Sequence, residues 1–112
     1  MTHTLADIHH LLIDMDGVLY RGRTALPGGQ QLFGFLEAHG IGYLLVTNNS
    51  TLGPAEFSER LSGMGLTVAP EHIMTSGMAT AEYLTTVARP GARINVVGEP
   101  GLVAQLCKRG FT

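Results

Sequence analysis

The chain of 112 residues has no tryptophan, a single cysteine and a single lysine, Lys108. One cysteine excludes an internal disulfide and suits a reducing compartment. Cys107 falls on a helical pattern, so it reads as a packed, inert thiol and not as a nucleophile. Charged residues make up 14% of the chain, low against the usual ~25%. The net charge is −2 and the basic residues are scattered, which leaves no electrostatic footprint for nucleic acid or an anionic membrane. No apolar run approaches the ~20 residues of a membrane span. The N-terminus, Met1 to Asp7, lacks a basic region followed by a long apolar one. A cytoplasmic location is the resulting expectation. The five histidines are dispersed, and the adjacent His9 and His10 cannot both face one ion from a strand.

What is present is the composition of a globular domain, 45% hydrophobic with 15 glycines. That glycine share is about twice the average and suits tight turns between strands and helices. The length allows at most one domain, and a small one for a complete α/β enzyme. Residues 1–8 read as a lead-in. Leu11 to Asp14 is an apolar run of the kind buried on both faces of a parallel sheet. Tyr20 to Gly29 is rich in turn formers and reads as an excursion over the strand end. Gln30 to His39 is a helix with Leu32, Phe33 and Leu36 on its apolar face, closed by Gly40.

Ile41 to Thr47 is a second buried strand, and Pro54 opens a helix with Phe57, Leu61 and Met64 inward. A short segment through Ile73-Met74-Thr75 leads to a third helix, with Ser76 as its cap. Arg93 to Gly98 reads as the third clear strand. Leu102, Val103, Leu106 and Cys107 then mark one face of a last helix with Lys108 and Arg109 in its final turn. Connections of these lengths favour right-handed crossovers and a three-stranded parallel sheet with flanking helices.

Two of these strands end in polar clusters, Asp14-Met15-Asp16 and Thr47-Asn48-Asn49, 33 residues apart from Asp14 to Thr47. That is the length of one βαβ unit, so both clusters belong at one rim, where open α/β sheets place their ligands. A carboxylate leaving a strand can attack phosphorus as a nucleophile, which suits Asp14. Asp16 can protonate the leaving oxygen and later deprotonate the attacking water. The Thr47 hydroxyl and the backbone near Asn48 can hold a phosphoryl oxygen. A Mg²⁺ between Asp14 and the phosphate would screen their mutual repulsion.

Asp14-Met15-Asp16-Gly17-Val18-Leu19-Tyr20 resembles the first motif of the haloacid dehalogenase superfamily of phosphatases, and Thr47-Asn48-Asn49-Ser50-Thr51 resembles its second. Leu26-Pro27-Gly28, Thr75-Ser76-Gly77 and Val97-Gly98-Glu99 are similar to residues of one branch. That branch holds sugar-phosphatase-like, nitrophenyl-phosphatase, pyridoxal-phosphatase and phosphoglycolate-phosphatase enzymes. The resemblance runs over residues 9–112 and implies the N-terminal half of a Rossmann-like hydrolase core.

It also implies a Mg²⁺-dependent phosphatase that hydrolyses a small phosphorylated metabolite through an aspartyl-phosphate. Asp14 would be nucleophile and metal ligand. Asp16 would be the acid/base and would bind the metal through its backbone carbonyl. Thr47, Asn48 and Asn49 would bind phosphate.

The family's third motif is a lysine and its fourth an acidic pair. Here the single lysine lies at a helix end, and Asp7, Asp14 and Asp16 are the only aspartates. The expectation is therefore a fragment lacking the cap domain and the C-terminal half, inactive alone. Its first strand would be left with an unpaired edge through which copies associate. A second reading is a non-catalytic module that binds phosphoryl ligands with the first two motifs only. A receiver-like phospho-acceptor domain fits less well, because the later acceptor aspartate and the strand-end lysine are absent.

Overall fold

A computed structural model describes residues 5–112. Of the expected lead-in, Met1 to Thr4 lie outside the described residues, and Leu5–Asp7 form one 3₁₀ turn. The elements that follow are β1 (His10–Asp14), β2 (Tyr20–Arg21), β3 (Thr24–Ala25), α1 (Gly29–Ala38), β4 (Gly42–Thr47), α2 (Pro54–Gly63), β5 (Ile73–Thr75), α3 (Ser76–Val87) and α4 (Pro100–Lys108). Three of them, β1, β4 and β5, form a parallel sheet in that order. The excursion after the first strand closes as the short antiparallel hairpin of β2 and β3.

The α/β architecture and the three-stranded parallel sheet are as expected, but the third strand is not the expected one. It is Ile73–Thr75, which lies beside β4 with Leu45 opposite Ile73 and Thr47 opposite Thr75. Residues 93–98 form no strand of this sheet. They keep a strand-like alternation, with Ile94 and Val96 turned towards apolar neighbours and Val97 95% exposed. Their flanking hydrogen bonds run to the last residue instead: the Ile94 N–H donates to the Thr112 carbonyl at 2.7 Å, and the Thr112 N–H to the Ala92 carbonyl at 3.2 Å. β-Propensity marks a segment that fits a pleated surface; it does not say which partner supplies that surface.

The main core lies between the sheet and the two crossover helices. Phe33 and Leu36 of α1 and Phe57 and Leu61 of α2 are almost fully buried against Leu45 and Ile73. Each such side chain contributes roughly 1.5–3 kcal/mol on leaving water. Tyr43 stacks between Phe33 and His72, with ring centroids 5.4 and 4.1 Å away. A second, smaller cluster joins α3 to α4 through Ala81, Leu106 and Phe111.

Among the described residues, β1 pairs on one side only. Its outward Leu12 is 74% exposed, and a row of backbone hydrogen-bonding groups is left open beside it.

Candidate active site

The register of the sheet assembles the site. Asp14 stands opposite Val46, and Thr47, the next residue of β4, stands opposite Thr75. Three strand ends therefore deliver polar side chains to one rim. They line a cleft of about 460 Å³ together with Asn48 and Ser76.

Asp14 is exposed at this rim, and its Oδ1 accepts a 2.8 Å hydrogen bond from the Met15 N–H. The chain then turns sharply. The Leu19 N–H donates to the Met15 carbonyl at 2.9 Å, and the Gly17 N–H to the Tyr20 carbonyl at 2.8 Å. Gly17 takes a φ of +79°, a conformation that a side chain disfavours and glycine does not. The buried Met15 and Leu19 pin the turn from below. Asp16 sits on it, exposed, its backbone bridged to Tyr20. Asp16 is therefore beside the cleft and is not part of its lining.

Thr47 Oγ1 accepts from the Asn49 N–H at 3.1 Å, which leaves the Thr47 hydroxyl proton to donate. The Asn49 carboxamide is used within the loop: its Oδ1 accepts from the Thr51 N–H at 2.9 Å and from Thr51 Oγ1 at 2.5 Å. The Asn48 side chain is exposed, and the Asn48 backbone carbonyl accepts from Ser76 Oγ at 3.0 Å. The cap of α3 is Thr75, whose Oγ1 accepts from the Met78 N–H at 3.1 Å. Ser76, the expected cap, is instead a brace for the loop. Thr75 and Ser76 were not among the expected site residues, although Ile73-Met74-Thr75-Ser76 repeats the pattern of an apolar strand closed by hydroxyls.

Charge at the rim is one-sided. Neither Asp14 nor Asp16 forms an ion pair among the described residues. Burial pushes the Tyr20 hydroxyl above its ordinary pKa, and the Asp16 and Asp14 carboxylates push the same way against Arg60. Lys108 lies in the last turn of α4 and does not line the cleft. Among the described residues no group of three or more His, Cys, Asp or Glu side chains gathers to hold a metal, and no helix is long and apolar enough to cross a membrane.

A family model for haloacid dehalogenase-like hydrolases matches residues 11–112. The acid sugar phosphatase of Staphylococcus aureus is 39% identical over 100 residues, which is 89% of this chain and 38% of that protein. Among solved structures, the 4-nitrophenylphosphatase of Thermotoga maritima superposes with a TM-score of 0.88 at 29% identity, over 99% of this chain and 42% of its own. NagD of E. coli gives 0.86 at 32% identity, over 94% and 41%. The chain thus spans about two-fifths of the length of these relatives. With Asp14-x-Asp16 and Thr47-Asn48 brought to one rim of the expected sheet, the chain belongs to the haloacid dehalogenase-like hydrolase family.

Proposed function

We propose that this segment supplies the nucleophile and the phosphate-binding loop of a metal-dependent phosphatase acting on a small phosphorylated metabolite. The observation that carries the reading is the register that sets Asp14 and Thr47 one step apart at the ends of paired parallel strands. The relatives bearing the names acid sugar phosphatase and 4-nitrophenylphosphatase support a phosphate ester as the substrate class.

An Asp14 carboxylate oxygen attacks phosphorus, and the P–O bond to the leaving alcohol breaks as Asp16 gives that oxygen its proton. Water, deprotonated by Asp16, then attacks the phosphorus of the aspartyl-phosphate, returning the Asp14 carboxylate and free phosphate. The Thr47 hydroxyl and the Asn48 segment hold phosphoryl oxygens. Asn49, with its Oδ1 engaged by Thr51, serves phosphate by shaping the loop.

The oxygen donors at this rim fit a hard divalent cation. Mg²⁺ commonly takes one or two carboxylates and completes its sphere with water and substrate phosphate. The Asp14 side chain and the Asp16 backbone carbonyl would hold it. Bound there, it would neutralise charge on the phosphoryl group.

The charge-balancing lysine, the second acidic group and a substrate-selecting cap are assigned to parts of the protein other than residues 1–112, so the segment is a partial core. The setting is cytoplasmic. The open edge of β1 is a surface through which copies associate.

The test is hydrolysis of p-nitrophenyl phosphate by the protein that carries this segment, with Mg²⁺ and with a chelator. Turnover should need the cation and vanish in Asp14→Asn, and the 112-residue chain alone should give none at a useful rate. Full activity in Asp14→Asn would sink the assignment.

A further inference from the structure

The loop that carries Thr47, Asn48 and Asn49 is not held by its own strand alone. From one side, Ser76 at the start of α3 donates to the Asn48 carbonyl. From another, the first turn of α4 lies directly on residues 51–52. A Cβ built on Gly101 would fall against the Thr51 carbonyl oxygen, 2.6 Å from the Thr51 carbonyl carbon and 2.9 Å from the Leu52 nitrogen. These are backbone atoms, so no side chain can swing aside to make room. One turn further along the same helix face, the buried Gln105 lies against Gly53, with its Nε2 3.3 Å from where a Cβ on that glycine would be.

Glycine is otherwise a poor choice inside a helix, where alanine is favoured. A glycine at 101 is explained by the close approach. Gly98, just before the same helix, is a contrast: a Cβ there would meet only the end of the flexible Leu102 side chain at 3.1 Å and Val96 Cγ1 at 3.7 Å.

We infer that Gly101 is a positioning residue for the phosphate-binding loop, setting the place of Thr51 and through it that of Asn49 and Thr47. The chain of contacts is short. Gly101 abuts the Thr51 backbone, the Thr51 N–H and Oγ1 both donate to Asn49 Oδ1, and the Asn49 N–H donates to Thr47 Oγ1. A methyl group at 101 must displace residues 51–52 or lift α4, and either move slackens the turn that aims the Thr47 hydroxyl. The inference deepens the phosphatase reading and rests on it for the identity of the ligand.

The test compares Gly101→Ala and Gly98→Ala with the unmodified sequence, each in the protein that carries this segment, by NMR, using inorganic phosphate with Mg²⁺ as the probe and hydrogen exchange at the Thr51 amide as a ligand-free readout. Gly101→Ala should weaken phosphate binding by about tenfold or more, the loss of one hydrogen bond to a charged group. It should also speed Thr51 exchange, with a modest fall in the thermal midpoint from the overpacking. Gly98→Ala should do neither.

Unchanged binding and exchange in Gly101→Ala would overturn the inference, as would equal effects from both variants. If the unmodified protein that carries this segment binds no phosphate at residues 47–51, the phosphatase reading fails. Thr51 exchange then decides the positioning role alone, upheld if faster in Gly101→Ala only and refuted if unchanged. Should Gly101→Ala fail to fold, Gln105→Ala on the same helix face takes its place under the same criteria.

Discussion

Residues 10–75 and residues 76–112 bury their apolar side chains in separate clusters, and the two are unequal. The first packs Phe33, Phe57, Met15, Leu36, Leu45, Leu61 and Ile73 almost completely. The second rests on Ala81, Leu106 and Phe111, fringed by half-buried side chains such as Leu84 and Ile94. The surface pair Arg109–Glu82, which ties α4 to α3, adds little because both side chains are largely solvated. The difference separates two tasks. Asp14 and Asp16, the carboxylates proposed to carry the chemistry, stand on the larger cluster, and the smaller one carries the helices that brace the loop beside them. Opening free energy follows buried apolar contact, so the second region opens first.

The largest effect that would break this contrast comes from the cores. Phe33→Ala should cost about 3–5 kcal/mol and unfold residues 10–75 cooperatively. Phe111→Ala should cost less, with faster amide exchange confined to α3 and α4. Denaturant unfolding followed by hydrogen exchange distinguishes the two, and equal losses would merge the regions into one cooperative unit.

An intermediate effect concerns the sheet edge. The 112-residue chain should sediment as an associated species, and Leu12→Lys should shift it towards the monomer, since charge on an edge strand opposes pairing. A monomeric chain whose mass Leu12→Lys does not alter would remove β1 as a contact surface.

The smallest effect is a pH dependence above the neutral range. Burial raises the Tyr20 and Tyr43 hydroxyl pKa values in the fold above 10.0, with Asp16 and then Asp14 adding to the effect at Tyr20 and Glu37 at Tyr43. A raised folded pKa contributes stability that is present below the unfolded value and lost as pH rises through the folded one. Stability should therefore fall as pH climbs past 10, and Tyr20→Phe should flatten part of that fall. A slope identical in Tyr20→Phe would show that Tyr20 ionises no differently in the fold.

The placement of the candidate site residues was more legible in the sequence than the topology was. Asp14, Asp16, Thr47 and Asn48 declare themselves because each polar cluster closes an apolar run, and a parallel crossover places successive strand ends on one rim whatever the details. The helices around Phe33, Phe57 and Leu106 were legible from spacing, with Gly40 marking the end of the first. The third strand was not. Ile94, Val96 and Val97 make a stronger local signal than the three residues of β5, yet it is β5 that finds a place beside β4. Pairing is a non-local choice, and nothing in a short window records it. The same holds for the contact of Gly101 with Thr51, which joins residues 50 positions apart.

The central claim is that Asp14 takes the phosphoryl group. The most direct test is to mix the protein carrying this segment with a phosphate ester labelled on phosphorus, quench in acid during turnover, and map the label by mass spectrometry. The account predicts an acid-stable, base-labile acyl phosphate on Asp14, absent from Asp14→Asn. Label found on another residue, or turnover with no phosphorylated protein at any quench time, would contradict it.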